Sequence, residues 1–167
     1  MPLQNRVTPF GELIAVPERG AWMGNRGGCF HTDARELSRR RWVSKRWIVC
    51  VLEFRGRHRT VMTPGRYTEL FFLDEATALA AGHRPCRECR YADHERFKAA
   101  WLRGNQALGL PAGASIDAID AVLHRERVTP AGAKGTFEAA LGALPDGVFV
   151  ALPAAPEEAL LVASGRL

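Results

Sequence analysis

"RYTELFFLDEATALAAGHRPCRECRYADHERFKAAWL" (residues 66–102) decides how this chain is built. "RYTELFFL" (66–73) is aromatic and β-branched, and it follows the turn residues Pro64-Gly65, which predicts a strand. Asp74 then stands as the N-cap of a helix "EATALAA", which Gly82 ends with Pro85 close behind. "YADHERFKAAWL" (91–102) predicts a second helix, with Phe97 and Trp101 spaced i, i+4 on one face. Cys86 and Cys89 therefore lie in the bend between two helices.

Outward from this stretch, "ELIAV" (12–16) reads as a short strand and the four-glycine "ERGAWMGNRGGCFHTD" (18–33) as loop. "DARELSRRR" (33–41) predicts a short helix that starts at Asp33. "RWIVCVLEF" (46–54), a turn at Gly56, "RTVM" (59–62) and residues 66–73 predict a β-meander. "GNQALGLPAGA" (104–114) has linker composition. Ser115 then caps a helix "SIDAIDAVLHRER", and the tail suggests a small hairpin. The expectation is an α+β fold: a small antiparallel β-meander with flanking helices and a zinc knuckle over 1–104. A linker at 105–114 leads to a small C-terminal helix and hairpin subdomain at 115–167.

With 47% hydrophobic and 25% charged residues among 167, the chain can bury a core without metal or disulfide staples. It opens with no export signal and has no window near the ~18 apolar residues of a membrane span. A cytoplasmic location and no membrane partner are expected, so thiol or metal chemistry is favoured over disulfides. The net charge of +5 is uneven: residues 1–104 carry 19 Lys+Arg against 11 Asp+Glu, and residues 105–167 carry 4 against 7. Residues 35–66 alone hold ten basic residues, nine of them arginine, against Glu36 and Glu53. That bias suits phosphate oxygens and points to nucleic acid, with DNA favoured. The acidic tail could instead dock a protein partner.

One C-x-x-C fits a zinc half-site or a redox pair. The redox form needs a strand before its first cysteine within a βαβ unit, whereas a capped helix precedes this one, so a zinc half-site fits better. Cys29 and His31, a Cys-x-His pair on the glycine loop, are candidates for the other two ligands. Cys50 shares a strand face with Ile48 and Leu52, where it serves most simply as small apolar filler; a ligand role is held in reserve. The loop "MGNRGGCFHTD" (23–33) also has the vocabulary of a phosphodiesterase. Arg26 could bind phosphate, His31 could act as base, and Asp33 could orient it or bind a divalent ion, with Asn25 grouped beside them as a candidate catalytic residue. Arg40, Arg41, Arg55, Arg57, Arg59 and Arg84 complete the expected nucleic-acid contacts.

"YTELFFLDEATALAAGHRPCRECR" (67–90) resembles the second half of the zinc domain of Ada-type DNA methyl-phosphotriester repair proteins. The resemblance implies that Cys86 and Cys89 are metal ligands and that Arg84 sits at a DNA-facing turn. That family carries its other two cysteines at C-x-x-x-C spacing near the preceding hairpin, and "GRHRTVM" (56–62) has none. Zinc and DNA binding are implied here without the methyl-accepting pair. The whole chain also resembles an uncharacterised bacterial family with a "GNRG-x-x-H" element, present here as "GNRGGCFH" (24–31), one residue longer before the histidine.

Overall fold

The computed structural model describes all residues, 1–167. It is α+β, with a mixed six-stranded sheet, three α-helices and a separate two-stranded hairpin. The sheet strands are β1 (Arg6–Val7), β2 (Leu13–Ile14), β3 (Trp22–Asn25), β4 (Ile48–Cys50), β5 (Leu70–Phe72) and β6 (Arg84–Pro85), in the order β2-β1-β5-β3-β4-β6. The pairs β1–β5 and β4–β6 run parallel, and the others antiparallel. No helix is long and apolar enough to cross a membrane.

The strand order departs from a simple meander. β3 lies between β4 and β5, and it comes from the glycine-rich stretch that reads as loop. A Cβ at Gly24 would stand 2.1 Å from the Ile48 carbonyl oxygen, so that glycine is what lets β3 close on β4. Residues 59–62 make no strand: Met62 is fully buried with φ 55, a left-handed kink that breaks an extended run. Residues 33–41 make no helix either. They form a tight turn with Arg35 at φ 61, closed by the His31↔Leu37 bridge. Only Ala34 and Leu37 are apolar in that segment, too few for a stripe that could hold a helix against the core.

The sheet has two unlike faces. Val49, Leu70 and Phe72 point to one side and build the core with Val7, Leu13, Phe30, Ala78 and Ala81. Met23, Asn25, Ile48, Cys50 and Phe71 point to the other and line a cleft. α1 (Glu75–Ala80) is held on the core side by Asp74, whose carboxylate accepts from the Thr77 N–H at 2.7 Å. α2 (Tyr91–Gly104) follows the cysteine turn. Arg90 fixes this corner: its guanidinium pairs with Glu75 and Asp93 and lies 4.3 Å from the centre of the Trp22 ring.

α3 (Ile116–Arg127) is capped by Ser115, as expected, and makes buried contacts with the first hundred residues. Asp120 and Arg84 form a bidentate pair at 2.9 and 2.7 Å, with side chains only 1% and 5% exposed. Arg127 donates to the Gly82 carbonyl, and its guanidinium lies 4.1 Å from the centre of Trp47. Beyond α3, β7 (Phe149–Leu152) and β8 (Ala155–Leu161) form the hairpin expected of the tail.

His83 sits at the centre of this packing. It is buried against Trp47 and Phe72, and its Nε2 accepts from Arg26 Nε at 3.3 Å. Burial first, and then Arg26 and Arg127, hold its pKa well below 6.5. The unfolded chain therefore takes up a proton before the folded one does, and this contribution to stability is lost as pH falls below about 6.5. Denaturant midpoints measured from pH 8 to pH 5 should drop below that point, by at most about 1.4 kcal/mol per pH unit from this group. His83→Gln should flatten that part of the profile; an unchanged slope would assign it to other groups.

Candidate metal centre

β4 ends at Cys50, and β6 runs parallel beside it. The Cys86 N–H donates to the Val49 carbonyl at 2.9 Å, and the Arg84 N–H donates to the Trp47 carbonyl at 3.1 Å. These bonds lay the C-x-x-C turn alongside Cys50. The Arg90 N–H closes that turn on the Cys86 carbonyl at 3.1 Å. As a result, the sulfurs of Cys50, Cys86 and Cys89 all lie within 4.8 Å of one another. Cys50, which reads most simply as filler, turns its sulfur to the other two and is only half-buried.

The cluster is prepared for negative charge. The nearby thiol of Cys50 first, and then the backbone N–H groups of Cys89 and Glu88, favour the Cys86 thiolate against the effect of burial and bring its pKa down to about 5. Cys89 is lowered too, first by Cys50 and then by the Val51 N–H. Cys50 is pushed up, first by its neighbours Cys86 and Cys89 and then by partial burial. Three cysteine sulfurs gathered this closely are a donor set that a divalent ion binds in the thiolate form.

The donor set tests which ion fits. Thiolates around a tetrahedral ion with bonds of about 2.3 Å stand roughly 3.8 Å apart, compatible with the observed cluster. No carboxylate belongs to it, which disfavours magnesium and calcium. An iron–sulfur cluster on four cysteines would need Cys29, which lies outside the group. Three protein ligands leave one position of a tetrahedron open.

Cys29 and His31 are placed elsewhere. Cys29 is exposed, with its sulfur 3.7 Å from its own neighbour's ring, His31 Nδ1. His31 Nδ1 lies 2.8 Å from Thr68 Oγ1, and Nε2 lies 3.3 Å from the Thr63 carbonyl, so both nitrogens serve the local fold. Asp33 is exposed, whereas Asn25 lines the cleft and accepts from the Gly27 N–H at 2.9 Å. Of the three residues grouped as a candidate catalytic set, Asn25 alone lines the cleft.

The arginines divide in the same way. Arg26 is buried, lowered to about 9 by burial and by Arg127 and Arg41. It donates to His83 and to the Gly11 carbonyl, and it lies 4.0 Å from the centre of Trp47. Arg84 is locked to Asp120 inside the protein. Neither is presented to a phosphate. Arg40 and Arg41 are exposed, and Arg41 bonds back to the Ser38 carbonyl. Arg55, Arg57 and Arg59 are exposed; Arg57 and Arg59 line the cleft, 2.6 Å from Glu88 and 4.9 Å from the Tyr67 ring centre, and Arg55 lies over Phe54, which also lines it.

Cys50, Cys86 and Cys89 share a cleft of about 320 Å³ with Tyr67, Glu69 and Phe71. Those last three alternate along the approach to β5, with Thr68, Leu70 and Phe72 facing the core. Period-2 alternation was the signal that could have singled out Glu69, a lone acid between two aromatics. Compared with family models, curated proteins and solved structures, the chain matches none.

Proposed function

We propose that the protein is a zinc-containing nucleic-acid-binding protein, with Cys50, Cys86 and Cys89 as the protein ligands and the cleft beside them as the binding site. The observation that carries this reading is the cluster of three sulfurs within 4.8 Å in a cleft flanked by exposed arginines. Zinc, when bound, would fix the turn between β6 and α2 and leave one coordination position toward the cleft. The resemblance of residues 67–90 to Ada-type zinc domains agrees with Cys86 and Cys89 as ligands and with DNA as the partner.

Arg55, Arg57 and Arg59 supply the phosphate contacts. The pairing of Arg57 with Glu88 is no obstacle, because both side chains are about half exposed, and such surface pairs are worth ~0–1 kcal/mol. These three contacts contribute about −2 to −3 to the slope of log affinity against log salt. The triple variant Arg55→Ala, Arg57→Ala, Arg59→Ala should make the slope shallower by that amount. Fluorescence anisotropy with labelled DNA over a salt series measures it; binding that ignores both salt and the triple variant contradicts the reading.

A further inference from the structure

A second depression of about 340 Å³ adjoins the metal cleft, sharing Leu52, Val61 and Phe71 as a common wall. Its other side carries Asn5, Arg6 and Arg19. Arg19 is brought there by the loop before β3. A Cβ at Gly20 would stand 2.4 Å from the Phe72 carbonyl oxygen, and the Ala21 N–H bonds to the Leu73 carbonyl, so the loop lies tight on β5. Arg6 donates to the Glu18 carbonyl and to Asn5 Oδ1, which fixes the Asn5 amide with its nitrogen turned away.

Two buried polar atoms in these walls have no partner. Asn5 is 1% exposed, and its Nδ2 donates to nothing. Glu69 is 3% exposed; its Oε2 accepts from the Met62 N–H at 2.7 Å, while its Oε1 accepts from nothing. Buried groups of this kind are nearly always satisfied, and leaving one unpaired costs about 1–3 kcal/mol. Asn5, which lines one depression with two arginines, thus has an unused donor, and Glu69, which lines the other among aromatic side chains, an unused acceptor.

We propose that the two depressions together hold one unpaired nucleotide whose base carries an exocyclic amino group. Its phosphate lies against Arg6, Arg19 and Asn5 Nδ2. Its base crosses the Phe71 wall into the metal cleft, beside Tyr67, and donates its amino hydrogen to Glu69. Cytosine and adenine supply that donor at the corresponding position, and guanine supplies it from C2; thymine and uracil place a carbonyl oxygen there, so only their ring N3–H, one atom away, could reach the carboxylate. A paired base is excluded, since its ring is stacked within the duplex and cannot enter the cleft. This inference rests on the nucleic-acid reading and narrows it to single strands and to base type.

The test is anisotropy with fluorescein-labelled oligo-dC, oligo-dA, oligo-dT and a duplex on the full chain, with zinc content measured on the same preparation. Oligo-dC and oligo-dA should bind about tenfold tighter than oligo-dT, and the duplex more weakly than either. Glu69→Gln keeps an oxygen for the Met62 N–H but turns the free acceptor into a donor, so the preference over oligo-dT should vanish or reverse. Arg19→Ala, at an exposed position, should weaken all single strands alike and lower the salt slope by about one. Equal affinity of the wild type for oligo-dC and oligo-dT overturns the proposal without needing any variant. So does a preference that survives Glu69→Gln, or an Arg19→Ala protein that binds unchanged. Failure to bind any oligonucleotide at full zinc content overturns the nucleic-acid reading as well.

Discussion

Serine at position 50, 86 or 89 should take bound zinc from about one ion per chain to nearly none, while Cys29→Ser leaves it unchanged. Each of the three sulfurs is within 4.8 Å of the other two, and Cys29 belongs to no such group. A hydroxyl stays protonated at neutral pH and is a poor donor to zinc, so each substitution removes a ligand rather than weakening one. Stability should follow the metal. An ion that binds only the folded chain, present at a thousandfold its dissociation constant, contributes about 4 kcal/mol, and the three variants lose it. Elemental analysis and thermal melts on the four single variants read both effects. Zinc retained by Cys50→Ser would return that residue to the role of core filler.

Truncating Asp120 to alanine should cost about 3–5 kcal/mol, the largest expected effect of any change away from the cysteines. Arg84 is 5% exposed on its side chain and bonded by both guanidinium branches to Asp120, so it would be left charged, dry and unpaired. The double variant Asp120→Leu, Arg84→Met should recover much of that loss, because a buried ion pair replaced by apolar groups of similar volume is often near neutral. Chemical denaturation of both proteins measures the difference. Arg84 lies in β6, two residues before Cys86, so the single variant should also release zinc faster than the wild type. A cost below about 1 kcal/mol for Asp120→Ala would mean that the pair is open to water.

Three of the four expected helices and their caps were legible because their signals are local; the one expected at 33–41 had Asp33 as a start signal but no apolar stripe to hold it. Asp74, Gly82 and Ser115 each declare an end within a few residues, and all three helices lie within two residues of the expected bounds. The strands were less so, because what makes them is distant. β3 hides in a glycine-rich run, since Gly24 is there for the approach of Ile48, a residue 24 positions away. β6 is two residues long and exists only because β4 is beside it. The third sulfur was obscured for the same reason. Cys50 alternates with apolar neighbours like any core residue, and nothing local says that this sheet face opens onto a cleft. Arg26 and Arg84 were indistinguishable in sequence from the exposed arginines. What separates them is a tertiary partner, Trp47 and His83 for one and Asp120 for the other.

The central claim is that three cysteine sulfurs of this chain hold zinc with a fourth position left to another donor. X-ray absorption at the zinc edge of the purified protein tests it most directly. The account predicts three sulfur ligands at about 2.3 Å and one lighter nitrogen or oxygen ligand at about 2.0–2.1 Å. Two or fewer sulfurs, or a shell of oxygen and nitrogen alone, would contradict it.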